Sequence, residues 1–131
     1  MIKEIKLSTS ERNELVDITE EIKSIIKQTK VKEGICIIYC PHTTAAITIN
    51  ESADPDVQRD IIVNLSKIIP ENGEYHHSEG NSDSHIKSSL IGASETLIIK
   101  DNDIILGTWQ KIYFSEFDGP RKRKVILKIL A

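Results

Sequence analysis

The sequence predicts an α+β fold, a mixed and largely antiparallel β-sheet or sandwich carrying two main helices and a short third one. Short β-branched or alternating runs occupy both ends of the chain, three helix signals interrupt them, and the last third carries four strand signals and no helix. The 131 residues suit one domain spanning 1–131, long enough to bury a real core. Apolar residues at 39% and charged residues at 28% exclude a disordered composition. The net charge of −3 argues against nucleic acid as a partner. No apolar run approaches the roughly 20 residues of a membrane span, and MIKEIKLSTS lacks a signal-type apolar region. A cytoplasmic location without a membrane partner is the expectation.

Residues 2–7 and 12–17 predict two short strands joined as a hairpin across Ser8-Thr9-Ser10. Thr19 is the expected cap of a helix with Glu20 and Glu21 in its first turn, an apolar stripe of Ile22, Ile25 and Ile26, and Gly34 beyond its end. The run Ile35 to Cys40 predicts a central strand covered on both faces. Within it, four residues separate Cys36 from Cys40, so their Cα atoms lie roughly 13 Å apart and a disulfide is excluded; both thiols are assigned to packing.

After Pro41 a strand to Asn50 follows. Counting by twos places His42, Thr44, Thr48 and Asn50 on one polar face and Thr43, Ala45, Ile47 and Ile49 on the other. Asp54-Pro55 opens a helix running to about Ile69, with Val57, Ile61, Leu65 and Ile68 as its stripe and Pro70 as its stop. Residues 71–84 are almost devoid of apolar side chains and read as a functional loop. A short helix over 85–91, capped by Asp83 or Ser84 and ended by Gly92, completes the helical set. Strands are then expected at 96–100 and 103–106 around an Asp101-Asn102 turn, at 108–117 after a conformationally free Gly107, and at 124–130 after Asp118-Gly119-Pro120.

The candidate chemistry starts from His42, at a strand end beside two threonines. His77 and His85 match no local metal signature, so a metal site has to be assembled across the fold from His42, His77 and His85. The acidic cluster Glu51, Asp54, Asp56 and Asp60 either complements a helix dipole or supplies hard oxygen ligands for Mg²⁺. The GPRKRK turn concentrates positive charge in an acidic chain, either as a solvated hairpin or as a grip on phosphate through Arg121 and Arg123.

Four separated motifs, DITEEI, HTTAAITINESADPDVQRD, EYHHSEGNSDSHIKSSLIG and LGTWQKIYFSEFDGPRKR, together resemble the YjbQ-like family, described as secondary thiamine-phosphate synthases. The likeness covers essentially the whole chain. It implies a YjbQ-like fold, a homotrimer with polar pockets near subunit boundaries, and a transferase joining an aminopyrimidine-methyl pyrophosphate to a thiazole phosphate with release of pyrophosphate. Carried residue by residue, it implies catalytic roles for His42, Asn50, Glu51, His85, Gln110 and Glu116, and phosphate contacts from Thr43, Thr44, Ser88, Arg121 and Arg123. The metal set it suggests is His42, His77, His85 and Asp54, holding Mg²⁺ or alternatively Zn²⁺. A metal- or phosphometabolite-binding trimer without turnover, or a metal-dependent hydrolase, are the competing expectations.

Overall fold

Eight strands and three helices form in the order β1 (Ile2–Ser8), β2 (Glu14–Asp17), α1 (Thr19–Thr29), β3 (Glu33–Tyr39), β4 (Ala45–Glu51), α2 (Pro55–Ile68), α3 (Ser82–Ile91), β5 (Ser94–Lys100), β6 (Asp103–Ile104), β7 (Gln110–Glu116) and β8 (Lys122–Leu130). This computed structural model describes all residues, Met1–Ala131. A five-stranded sheet runs β1-β8-β3-β5-β6 and a three-stranded sheet runs β2-β7-β4, with every pairing antiparallel. The α+β expectation therefore holds.

The core lies between the sheets. Cys36, Ile38, Leu97, Val125 and Leu127 line it from one side and Ala45, Ile47, Ile112 and Phe114 from the other, with Ile22 and Ile26 of α1 closing an end. Each fully buried Ile, Leu, Val or Phe side chain among these contributes about 1.5–3 kcal/mol. On the outer side of the small sheet, Tyr113 meets Gln58 of α2 and Ser88 of α3 bonds the Ala45 carbonyl, so β7 is covered on both faces.

Several local expectations are corrected. β1 and β2 do not form a hairpin: β1 pairs with β8 and β2 with β7, so the Thr9–Asn13 connection crosses from one sheet to the other. β3 is central but covered on one face only. Cys36 and Ile38 are buried, whereas Ile35 and Tyr39 share an open outer face with Ile2, Ile98 and Leu130. In α2, Ile68 is solvent-exposed and Ile69, just past the helix, is the buried residue. Thr19 is not a cap: its own N–H donates to Asp17 Oδ1, and its hydroxyl accepts from the Ile112 N–H. α3 starts three residues earlier than predicted, which turns the expected caps Asp83 and Ser84 inward. The strand-edge positive φ angles fall at Asp101 and Asn102, as the predicted turn requires, and not at Gly107.

Candidate functional site

β7 ends and β8 begins at one edge of the sandwich, and the two strands bring Glu116 and Arg123 together inside it. Arg123 Nε donates to Glu116 Oε1 at 2.9 Å and its Nη2 donates to Oε2, a bidentate pair with Glu116 fully buried. Thr9 Oγ1 also donates to Oε1 at 2.7 Å, and the Phe117 and Asp118 amides donate to Oε2 at 3.1 and 3.2 Å. Every lone-pair direction of the carboxylate is thus in use, and Glu116 is not available to a substrate. Its predicted catalytic role is replaced by a structural one. Arg123 Nη2 reaches the Thr44 hydroxyl at 2.9 Å, while Nη1 makes none of these bonds.

Around this pair opens a polar cleft of about 410 Å³. His42, Thr43, Thr44, His85, Arg121 and Arg123, all predicted site residues, line it together with Asp118 and Asn81. His42 Nε2 accepts the Lys124 backbone N–H at 3.0 Å, which fixes the neutral tautomer with the proton on Nδ1. Burial, and then the Arg123 guanidinium, pull the His42 pKa below its ordinary 6.5, so the ring is neutral at pH 7. Arg121 is half-exposed and is held from behind, Nε donating to the Asp118 carbonyl at 2.7 Å and Nη2 to the Asp118 carboxylate at 3.0 Å.

Behind the cleft lies a charge network that sequence reasoning missed. Arg12, from the β1–β2 connection, donates to Asp83 Oδ1 at 3.0 Å and sits 3.6 Å from Asp118. Lys87, 1% exposed, donates to Asn13 and Ser66 at 3.1 Å each and lies 3.6 Å from Asp83 Oδ2. Burial lowers the Lys87 pKa and the Asp83 charge opposes that shift. Asp118 in turn accepts from Asn81, whose own Oδ1 is 3.1 Å from His77 Nε2. The Asp83–Lys87 spacing of four was the available signal, an intrahelical ion pair; nothing local to Arg12 announces its role.

Other predicted residues stand elsewhere. Ser88 Oγ donates to the Ala45 carbonyl at 2.6 Å and is buried, so it fastens α3 to β4 and offers no phosphate contact. Asn50 and Glu51 occupy the opposite end of β4, roughly 20 Å from Thr44 for a strand of this length, because His42 and Thr44 precede the strand while Asn50 ends it. There Asn50 Oδ1 accepts from the Glu51 N–H, Gln110 Oε1 accepts from the Gly107 N–H, and Asp54 Oδ1 accepts from the Asp56 N–H as the α2 cap. Of the predicted metal set, His77 and His85 are neighbours, with ring centroids 5.6 Å apart. No group of three or more His, Cys, Asp or Glu side chains in the chain is placed to hold a metal, and Asp54 is far from the histidines. The set does not fit a metal within this chain. Free Cys36 and Cys40 are buried as packing, and burial pushes the Cys36 thiol up to about 11.

The family described as UPF0047 protein YjbQ-like matches residues 3–131. A UPF0047 protein of Methanocaldococcus jannaschii is 58% identical, the match covering 99% of this chain and 94% of that protein. UPF0047 protein YugU of Bacillus subtilis is 47% identical over 99% of both. Among solved structures, an uncharacterized conserved protein of the YjbQ/UPF0047 family from Clostridium acetobutylicum superposes with a TM-score of 0.96 at 54% identity, covering 98% of this chain and 99% of that one. A YbjQ-like protein of unknown function from Sulfolobus solfataricus gives 0.96 at 31% identity, covering 100% and 96%.

Proposed function

This chain belongs to the UPF0047 YjbQ-like family, and from that premise we propose that it is a transferase for phosphorylated metabolites, of the thiamine-phosphate synthase type, working in the cleft around His42. One observation carries the reading: two histidines, two threonines and two arginines from three separate stretches of sequence converge on a single polar cleft. In the reaction, the bond from the pyrimidine methylene to the pyrophosphate oxygen breaks, its electron pair leaves with pyrophosphate, and the methylene carbon bonds to the thiazole nitrogen. The charge that develops is on the leaving group, so fixed cations aimed at it do most of the work. Arg121, steadied by Asp118, and Arg123, steadied by Glu116, are such cations. His42 contributes a neutral Nδ1–H donor, because Nε2 is already taken.

Mg²⁺ suits this reading as a companion of the substrate pyrophosphate, its usual mode, since Asp118 is committed to Arg121 and Asn81 and Asp54 is remote. The homotrimer belongs to the same proposal. It is supported by the open apolar face of the large sheet, where Ile2, Ile35, Tyr39, Ile98 and Leu130 lie together. A phosphometabolite-binding trimer without turnover is the second reading, supported by the same cleft, because arginines already held in place by Asp118 and Glu116 bind an anion whether or not a reaction follows. A hydrolase with a histidine-held Zn²⁺ requires ligands from a second subunit.

The test mixes the two phosphorylated precursors with Mg²⁺ and measures thiamine phosphate and pyrophosphate. Wild-type protein forms both, and His42→Ala and His85→Ala each lose roughly 100-fold or more. Unchanged rates in both variants sink the site assignment. Tight pyrophosphate binding without product favours the binding protein, and a stoichiometric zinc lost in the histidine variants favours the hydrolase.

A further inference from the structure

We infer that a second anion subsite lies on the other side of His42, in the groove lined by Lys6, Lys122 and Lys124, so that the site takes two phosphorylated groups with the imidazole between them. The inference rests on the reading of the Arg121 cleft as an anion site. The groove, of about 480 Å³, shares only His42 and Arg123 with that cleft. In the β1–β8 ladder Lys6 stands directly opposite Lys124 and Ser8 directly opposite Lys122, so three ammonium side chains emerge from one face of two adjacent strands. Like charges directly opposite across a ladder are destabilising.

None of the three lysines has a carboxylate within ion-pair distance, although the chain as a whole carries a charge of −3. The single acid lining the groove is Glu4, which pairs across the ladder with Ile126 and not with a lysine. A concave site in which cations outnumber the single acid concentrates anions. A phosphate dianion set among these ammonium groups converts their mutual repulsion into attraction. The groove is also tied mechanically to the first cleft, because the Lys124 backbone N–H is the group that holds His42 Nε2. Strand alternation along β8 then divides the labour: Lys122 and Lys124 supply the groove's unpaired cations, while Arg123 between them, which borders both spaces, is tied to Glu116. Two anions flanking one imidazole is the arrangement that a reaction joining two phosphorylated molecules needs.

Calorimetric titration of the full chain with inorganic pyrophosphate, and separately with inorganic phosphate, tests this in four proteins: wild type, the exposed pair Lys6→Gln/Lys124→Gln, Arg121→Gln, and a control pair Lys27→Gln/Lys32→Gln. Wild type binds two anions per chain. The groove pair weakens one of them by at least about tenfold per lysine and leaves the other within about twofold, Arg121→Gln does the reverse, and the control pair changes neither. Two sites retained in the groove pair, or equal weakening by the control pair, overturns the subsite while the Arg121 cleft stands. A single wild-type site lost only in the groove pair upholds the subsite and overturns the cleft. Absence of binding to wild type overturns both.

Discussion

The two ends of β4 are both polar, Pro41-His42-Thr43-Thr44 at one and Asn50-Glu51-Ser52 at the other, and they do different work. At the Thr44 end, polar side chains are fastened to a buried ion pair: Arg123 grips both Glu116 and Thr44, and the cleft forms around them. At the Asn50 end, each polar group serves the nearest backbone, Asn50 the Glu51 amide, Gln110 the Gly107 amide and Asp54 the Asp56 amide. Polar residues flanking a strand therefore have two physical origins, local backbone satisfaction and long-range charge organisation. Only the second builds a cleft in this chain.

Glu116→Ala leaves Arg123 charged, buried and without its partner, and a loss of about 3–5 kcal/mol is expected in denaturant unfolding; a loss within about 1 kcal/mol would mean that the pair is not the pillar of that end. Next comes Arg121→Ala, expected to weaken pyrophosphate binding roughly tenfold to a hundredfold with unfolding unchanged, because the side chain is half-exposed and its ion pair screened. Asp54→Ala should do the opposite, costing about 1 kcal/mol of stability through the lost cap while leaving pyrophosphate affinity alone. Should Asp54→Ala reduce that affinity as much as Arg121→Ala does, the two ends belong to one site completed by a neighbouring subunit.

The smallest effect is the pH dependence of the His42 contact. With the folded-state pKa below 6.5, the unfolded chain takes up the proton first as pH falls. The contribution is complete above pH 6.5 and is lost as pH falls from there through the lower folded-state value. Stability of wild type and His42→Gln, compared at pH 7.5 and 5, should differ more at the higher pH.

Much of the fold was legible because local signals decided it. The Asp54-Pro55 helix start, the Asp101-Asn102 turn and the β-branched run of β3 each appear where their residues predict. The β1–β2 hairpin failed because a short polar connection says that two strands adjoin in sequence, not that they share a sheet. The lining of the candidate cleft was legible in part. His42, Thr43, Thr44, His85, Arg121 and Arg123 do converge, while Asn50, Glu51 and Gln110 belong to the far end and Ser88 and Glu116 to the framework. Arg12 stayed hidden because its partner Asp83 lies 71 residues away in sequence, and of the contacts of Lys87 only the Asp83 spacing of four is local, Asn13 being 74 residues away.

The pairing of β1 with β8 also sets the order in which the protein can be finished. Of the eight strands, the first to leave the ribosome has as its only ladder partner the last, so its edge stays unpaired until the other seven have been made. Ile5 enters the core only at that closing step, alongside Val125. The same closure places the Met1 amino group 3.1 Å from the Ile129 carbonyl, so the two ends of the chain meet across one ladder. A circular permutant that joins them by a short linker and opens the exposed 71–80 loop would make β8 and β1 consecutive in synthesis, turning the ladder of greatest sequence separation into a local one.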